Sequence, residues 1–318
     1  MWEGLFRVGA GGQRTPLSDR LRRIGEAQSA SFTFDCPGVA DGTVTGASVK
    51  RASAGWLKPF SDIQIGVYQS ADPASTQLYL QVNDSNGRNA RLRGYENMSS
   101  ALEGEGPFPT FAQLVEGVTW AKSNAADAIA KRWALFADGS LVYFYQATYN
   151  TANPTVGAFG DFETFVPGDR YNCIIAGSET YPNTVYPGFN AGFLTPSSTL
   201  GVYLARRANQ TTRSEPWYRV GVQWSVQGAR PFGNNTNMVS GAGAVLRQPV
   251  FVSDGMQTAV FRGFLPGLLE PMHRAFANTA TEPFDGSGPF SGRRIVGYSV
   301  GAVDQYGSVA FDVTGPWR

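Results

Sequence analysis

His273 is the only histidine in a chain of 318 residues. A lone imidazole excludes a zinc site built on several histidines and any catalytic device that needs two. It could serve one triad, but Leu269-Glu270-Pro271-Met272 before it is no nucleophile elbow, and Gly-x-Ser-x-Gly is absent. A structural or interface role is expected for it. The acids pose a different question, because two carboxylates about 5–10 Å apart are the minimum for glycoside hydrolysis. Asp161 and Glu163 in FGDFETF, and Glu103 and Glu105 in LEGEGPF, have that spacing in sequence. Residues i and i+2 of a strand share one face, roughly 6–7 Å apart. Any strand with two acids does the same, and the second pair sits among turn residues, so no catalytic residue is assigned.

Glycine-rich stretches do not supply a phosphate cradle. Gly9 to Gly12 lacks the Lys-Ser/Thr of a P-loop, and Gly241-Ala242-Gly243 lacks the strand and helix of a dinucleotide site. No Asp/Asn run has calcium-loop spacing. No cofactor or metal is expected. Cys36 and Cys173 are far apart and have no CxxC spacing; two buried thiols are the simpler reading, with a disulfide left open. The remaining chemistry is aromatic. Tyr181, Tyr186 and Phe189 lie with Asn183 and Asn190 in a Pro-rich stretch. Such residues stack on sugars or fill a partner's pocket, or pack locally within a loop.

The elements that would position these residues are mostly strands. The 38 Gly and 19 Pro are spread along the chain and cut it into short extended segments. Residues 63–68 (IQIGVY), 77–82 (QLYLQV) and 88–95 (RNARLRGY) read as a meander, with a turn over 83–87. Alternation in the second of these sets Tyr79 against Leu78 and Leu80, so both faces carry some cover. Residues 133–137 (WALFA) and 141–145 (LVYFY) flank Asp138-Gly139, which predicts a hairpin closed by a type I′ turn. Residues 171–176 (YNCIIA) read as a buried strand. Further strands are expected at 31–35, 200–206, 218–226, 244–252, 258–261, 294–300 and 308–313.

Helices are few. Residues 15–26 recur at helical spacing through Leu17, Leu21 and Ile24, with Pro16 in the first turn. Arg14, Arg20, Arg22 and Arg23 give that segment a basic face, either solvated or docked on an acidic partner. Residues 111–116 and 125–130 are each candidates for a short turn of helix. The fold expected is mostly β: antiparallel sheets in a sandwich or barrel-like arrangement, with few short helices and long loops at 178–196 and 228–243. A weak boundary separates a β-rich region 1–178 from a second β-rich region, 179–318, with long loops and assembly contacts; a single domain is the alternative.

Composition narrows the partners. There are 26 basic and 25 acidic residues, so charge offers no attraction for nucleic acid or an anionic membrane. It also removes the self-repulsion that holds copies apart. Charged residues are 16%, below the roughly 25% of average domains, which suits a surface partly covered by other subunits. Residues 1–13 do not read as a secretory signal, and no segment approaches the roughly 20 apolar residues of a membrane helix. Synthesis in a cytoplasm without membrane insertion is expected.

Two stretches carry a resemblance. IGVYQSADPASTQLYLQVND, ARLRGYENMS and GPFPT, and later WAKSNAADAIAKRWALFADGSLVYFY and FGDFETFVPGDRYNCIIAG, follow the order of motifs in tail-region proteins of Mu-like and lambda-like temperate bacteriophages. The closing GSVAFDVTGPWR is similar to the end of such proteins. The resemblance covers residues 55–178 well and the C-terminal tail more loosely; residues 191–292 match no motif. It implies a virion structural protein, most simply a tail-tip or baseplate subunit, made in the host bacterial cytoplasm. Symmetric tail rings imply a homo-oligomer of three- or six-fold symmetry among other tail proteins. A receptor- or carbohydrate-binding tail protein, contacting host surface glycan through Tyr181, Tyr186 and Phe189, is the alternative. A glycan hydrolase is a more distant one. The resemblance carries over no catalytic residues.

Overall fold

Several strands in the middle of the chain are apolar at consecutive positions. An antiparallel strand with one wet face alternates; a continuous apolar run needs cover on both faces. The computed structural model supplies that cover as stacked sheets. It describes residues 2–5, 33–34, 42–43, 56–62, 64–70, 72–83, 85, 89–121, 132–147, 154–177, 202–206, 219–221, 245–253, 259–271, 284–286, 290–299, 308–313 and 317.

In chain order the strands begin with β1 (Trp2–Leu5), β2 (Thr33–Phe34), β3 (Gly42–Thr43), β4 (Trp56–Ser61), β5 (Ile65–Ser70), β6 (Tyr79–Asn83) and β7 (Asn89–Tyr95). Next come β8 (Asn97–Met98), β9 (Gly104–Glu105), β10 (Val118–Ala121), β11 (Arg132–Ala137), β12 (Leu141–Ala147), β13 (Pro154–Asp161), β14 (Glu163–Thr164) and β15 (Cys173–Ala176). The last are β16 (Val202–Leu204), β17 (Arg219–Gly221), β18 (Val245–Ser253), β19 (Ala259–Pro271), β20 (Phe284–Asp285), β21 (Arg294–Ser299) and β22 (Ser308–Asp312). Every described pairing is antiparallel.

Three sheets make the body. A five-stranded sheet runs β10-β7-β6-β5-β4, a six-stranded sheet β1-β11-β12-β13-β15-β16, and a larger one β17-β18-β19-β22-β21-β20, with β14 added on β19. None of them closes into a barrel among the described residues, so the sandwich form of the expectation holds. The six-stranded sheet is the middle layer. On one face its Val142, Phe144, Phe159, Cys173 and Ile175 pack against Tyr68, Leu80, Val82, Leu92 and Val118 of the five-stranded sheet. On the other, Phe136 and Tyr143 meet Phe311 with ring centroids 4.2 and 5.5 Å away, and Tyr143 meets Trp317 at 5.5 Å. The Tyr143 hydroxyl donates to the Pro266 carbonyl at 2.7 Å, so its one polar atom is satisfied in that layer. Burial on both faces is the reason β12 and β15 have no polar alternation.

The meander appears as β5, β6 and β7 side by side. Leu80 and Val82 face the middle sheet, while Tyr79 lies under the outer cluster of Val67, Tyr95, Met98 and Ala101. The expected hairpin joins β11 to β12, but its turn is displaced by one residue. Ala137 pairs with Val142 and the Asp138 amide donates to the Leu141 carbonyl, so Gly139 and Ser140 are the central residues. The cause is the Asp138 side chain: its Oδ1 accepts from Ser140 N at 2.8 Å and Leu141 N at 2.7 Å. An aspartate capping the turn from its flank competes with the Asp-Gly turn that the dipeptide alone predicts.

Other expectations change too. The strand expected at 258–261 proves to belong to a 13-residue strand, β19, which starts at Ala259 and runs through Gly263, Pro266 and Gly267. Pairing survives these breakers because the register with β18 shifts at Arg247/Gln248 and Val250/Phe251. Gly267 has φ +73°, and a Cβ there would overlap the Trp317 indole. Residues 111–116 form turns, with Gln113 and Leu114 amides donating to the Thr110 carbonyl. No α-helix occurs among the described residues; the helix candidates at 15–26 and 125–130, and the loops at 178–196 and 228–243, lie outside them. Pairs cross residue 178 in two places, where β16 joins β15 and β14 joins β19.

Candidate functional site

The acids of FGDFETF do not share a face. Asp161 ends β13 and pairs with Cys173 in the middle sheet, whereas Glu163 begins β14 and pairs with Phe264 in the third. Phe162 between them is fully buried, and the chain changes sheets at this residue. Asp161 is itself buried. Its carboxylate accepts from Thr76 N at 2.6 Å and Thr76 Oγ1 at 2.5 Å, which fixes the β5–β6 connection to the middle sheet. Cys173 alongside is a free thiol. Burial pushes its ionisation up, and the Asp161 charge adds to that, so the thiol stays protonated and behaves as core.

Glu103 and Glu105 are exposed on the hairpin formed by β8 and β9. The Ser99 amide donates to the Glu103 carbonyl and the Glu96 amide to the Glu105 carbonyl, as a turn requires. Tyr181, Tyr186 and Phe189 lie outside the described residues, as do His273 and Cys36. Among the described residues no group of three His, Cys, Asp or Glu side chains could hold a metal. No helix among them is long and apolar enough to cross a membrane.

What the structure does bring together are buried arginines. Arg262 on β19 is 1% exposed and grips the Asp169 carboxylate with both arms, Nε to Oδ2 at 2.6 Å and Nη2 to Oδ1 at 2.5 Å. Its third nitrogen donates to the Arg206 carbonyl at 2.7 Å, and its guanidinium carbon lies 5.2 Å from the Phe162 ring centroid. Asp169 also accepts from Thr164 Oγ1 and the Tyr171 amide. Arg206, just past β16, reaches the other way to the Glu96 carboxylate and lies over the Tyr171 ring. The bond to Glu96 raises the Arg206 guanidinium above its ordinary value, against the effect of burial. Glu96 follows β7 in the first sheet, Arg206 follows β16 in the second and Arg262 lies on the third, so one polar chain ties all three layers.

A second buried arginine works on the outside of the five-stranded sheet. Arg93 donates to the carbonyls of Pro109, Leu114 and Val115 and stacks on the Phe111 ring 4.1 Å away. Burial lowers its guanidinium from the ordinary value, with Tyr95 and Tyr203 opposing. The loop it holds is also stapled internally, Thr110 N to Gln113 Oε1 and Gln113 N to Thr110 Oγ1. Sequence reasoning missed both arginines. The signal available for Arg93 was its alternation with Leu92 and Gly94, which puts it on the outer face without saying what covers it.

The motif residues therefore hold one another. Ser70 Oγ donates to the Gly139 carbonyl, so the first meander strand fastens the Asp-Gly hairpin. Thr76 fastens to Asp161 of FGD. Arg93 and Gly94 fasten GPFPT, the latter through paired backbone bonds with Phe108, whose ring covers the glycine. Asp169 of PGDRY takes Arg262. Compared with protein-family models and with curated proteins, the chain has no match.

Proposed function

We propose that this chain is a structural subunit of a tailed-bacteriophage virion, in the tail tip or baseplate, acting through oligomeric assembly and non-catalytic contacts. One observation carries the reading furthest. The stretches that carry the resemblance to tail-region proteins meet as mutual fastenings: Ser70 with Gly139 and Thr76 with Asp161, 69 and 85 residues apart, and Arg93 with Pro109 closer in sequence. Residues spent in that way build a scaffold. The polar chain through Glu96, Arg206, Arg262 and Asp169 supports the same reading, because its charges are turned toward joining layers. The test is location. Mass spectrometry of purified particles should find the protein, and a labelled copy should image at the tail end. Its absence from purified virions overturns the proposal.

A further inference from the structure

Four of the five large apolar side chains most exposed among the described residues lie on one side of the molecule. They are Leu57 (44%), Leu102 (66%), Phe111 (57%) and Val115 (75%). Leu57 pairs with Gln69 on β5, which pairs with Tyr79 and through it with Tyr95, so it faces outward from the five-stranded sheet. Gln81 and Arg93 are direct partners on that same face. Gln81 Nε2 donates to the Ala101 carbonyl, which lays the hairpin carrying Leu102 over the sheet. Arg93 holds the loop carrying Phe111 and Val115 beside it. Hairpin and loop thus form one surface on which these apolar side chains stand exposed.

The tip of the hairpin is acidic: Glu103 and Glu105 are exposed there, whereas Glu96 and Glu116 are taken up by Arg206 and Arg91. Residues 96–117 contain Glu96, Glu103, Glu105 and Glu116 and no Lys or Arg, in a chain whose net charge is +1. Its complement is on the same chain. Residues 14–26 carry Arg14, Arg20, Arg22 and Arg23 with Leu17, Leu21 and Ile24 at helical spacing. We infer that the Leu57/Leu102/Phe111/Val115 surface is an interface between copies of this chain, and that it receives residues 14–26 of a neighbouring copy. Apolar anchors beside the Glu103/Glu105 tip would meet leucine and isoleucine side chains accompanied by arginines. Because the two patches differ, the contact is head-to-tail, and such contacts make a ring where the rotation between copies closes. The inference rests on the assembly reading and adds the contact to it.

Sedimentation velocity of the purified full chain tests it. The expected result is a closed oligomer, with association weakened at least tenfold by Glu103→Arg with Glu105→Arg, and similarly by Arg20→Glu with Arg22→Glu. Combining the two reversals should recover association, because opposite charges face again. Leu102→Ser with Val115→Ser should leave a monomer whose thermal unfolding matches the parent, both side chains being exposed. A chain that is monomeric at every concentration overturns the inference, as does an oligomer indifferent to both reversals or one that the combined variant fails to restore. A monomer in solution that is nevertheless found in virions sinks this contact alone; absence from virions sinks the assembly reading itself.

Discussion

Arg93 and Arg262 are both buried guanidinium groups, yet they are satisfied in different ways and do different work. Arg262 sits where the middle and third sheets meet, and its charge is matched by a carboxylate that is itself wholly buried. Arg93 lies on the outside of the five-stranded sheet, and its bonds go to three carbonyls of one loop. The first joins layers; the second shapes a surface. A paired buried charge is neutral as a unit but fails badly when halved. Two of the carbonyls that Arg93 holds, those of Leu114 and Val115, are only partly buried, so water can answer much of its loss and the effect stays local.

The largest effect expected follows from halving the pair. Asp169→Asn leaves Arg262 charged and unmatched, and chemical unfolding should show a loss of about 3–5 kcal/mol. Asp169→Leu combined with Arg262→Met should recover much of it, because apolar side chains of similar volume need no partner there. A loss below about 1 kcal/mol for Asp169→Asn would put the joint on the footing of a surface ion pair and erase the contrast drawn above.

Arg93→Met should come next, at about 1–3 kcal/mol. Its sharper readout is position. Amide hydrogen exchange should quicken across residues 110–117 and stay slow in β12, whose side chains at 141–144 are buried. Exchange that quickens equally in both regions would mean that Arg93 also serves the joint between layers.

The third effect depends on pH. Burial raises the Cys173 thiol above its ordinary value, so the folded chain keeps its proton where the unfolded chain gives it up. Stability from this source is whole below the unfolded thiol value of about 8.5 and falls as pH rises beyond it. Cys173→Ala should flatten the alkaline slope of the unfolding midpoint, although it lowers the midpoint itself by leaving a small void. An unchanged slope would show that Cys173 is not the group responsible.

These contrasts also mark how far sequence patterning reaches. The β5–β6–β7 meander and the β11–β12 hairpin are local, and period, turn residues and apolar runs identify them within a residue or two. Asp138 shows the limit even there, since its side chain moves the turn by one position. The joint is a different matter. Asp169 and Arg262 are 93 residues apart, and nothing around either residue announces the other. Phe162 reads as one more residue of a strand, but the chain changes sheets there, which separates two acids that period alone would put side by side. β19 was hidden by Gly263, Pro266 and Gly267, breakers that a long strand accommodates only because its partner shifts register. The aromatic candidates Tyr181, Tyr186 and Phe189 lie outside the described residues, and their role stands on sequence alone.

The smallest effect belongs to the rim of the outer surface. Arg91 is paired with Glu116, whose side chain is 47% exposed, and it also donates to Thr119 Oγ1. Water competes for the carboxylate, and Arg91 keeps its threonine when the glutamate is neutralised. Glu116→Gln should therefore cost under about 1 kcal/mol and lose even that in high salt. The comparison with Asp169→Asn is the informative one, since both changes replace a carboxylate that faces arginine with its amide. If the two lost similar stability, burial would not be what separates the joint from the surface, and the division between layer-joining and surface-shaping arginines would have to be given up.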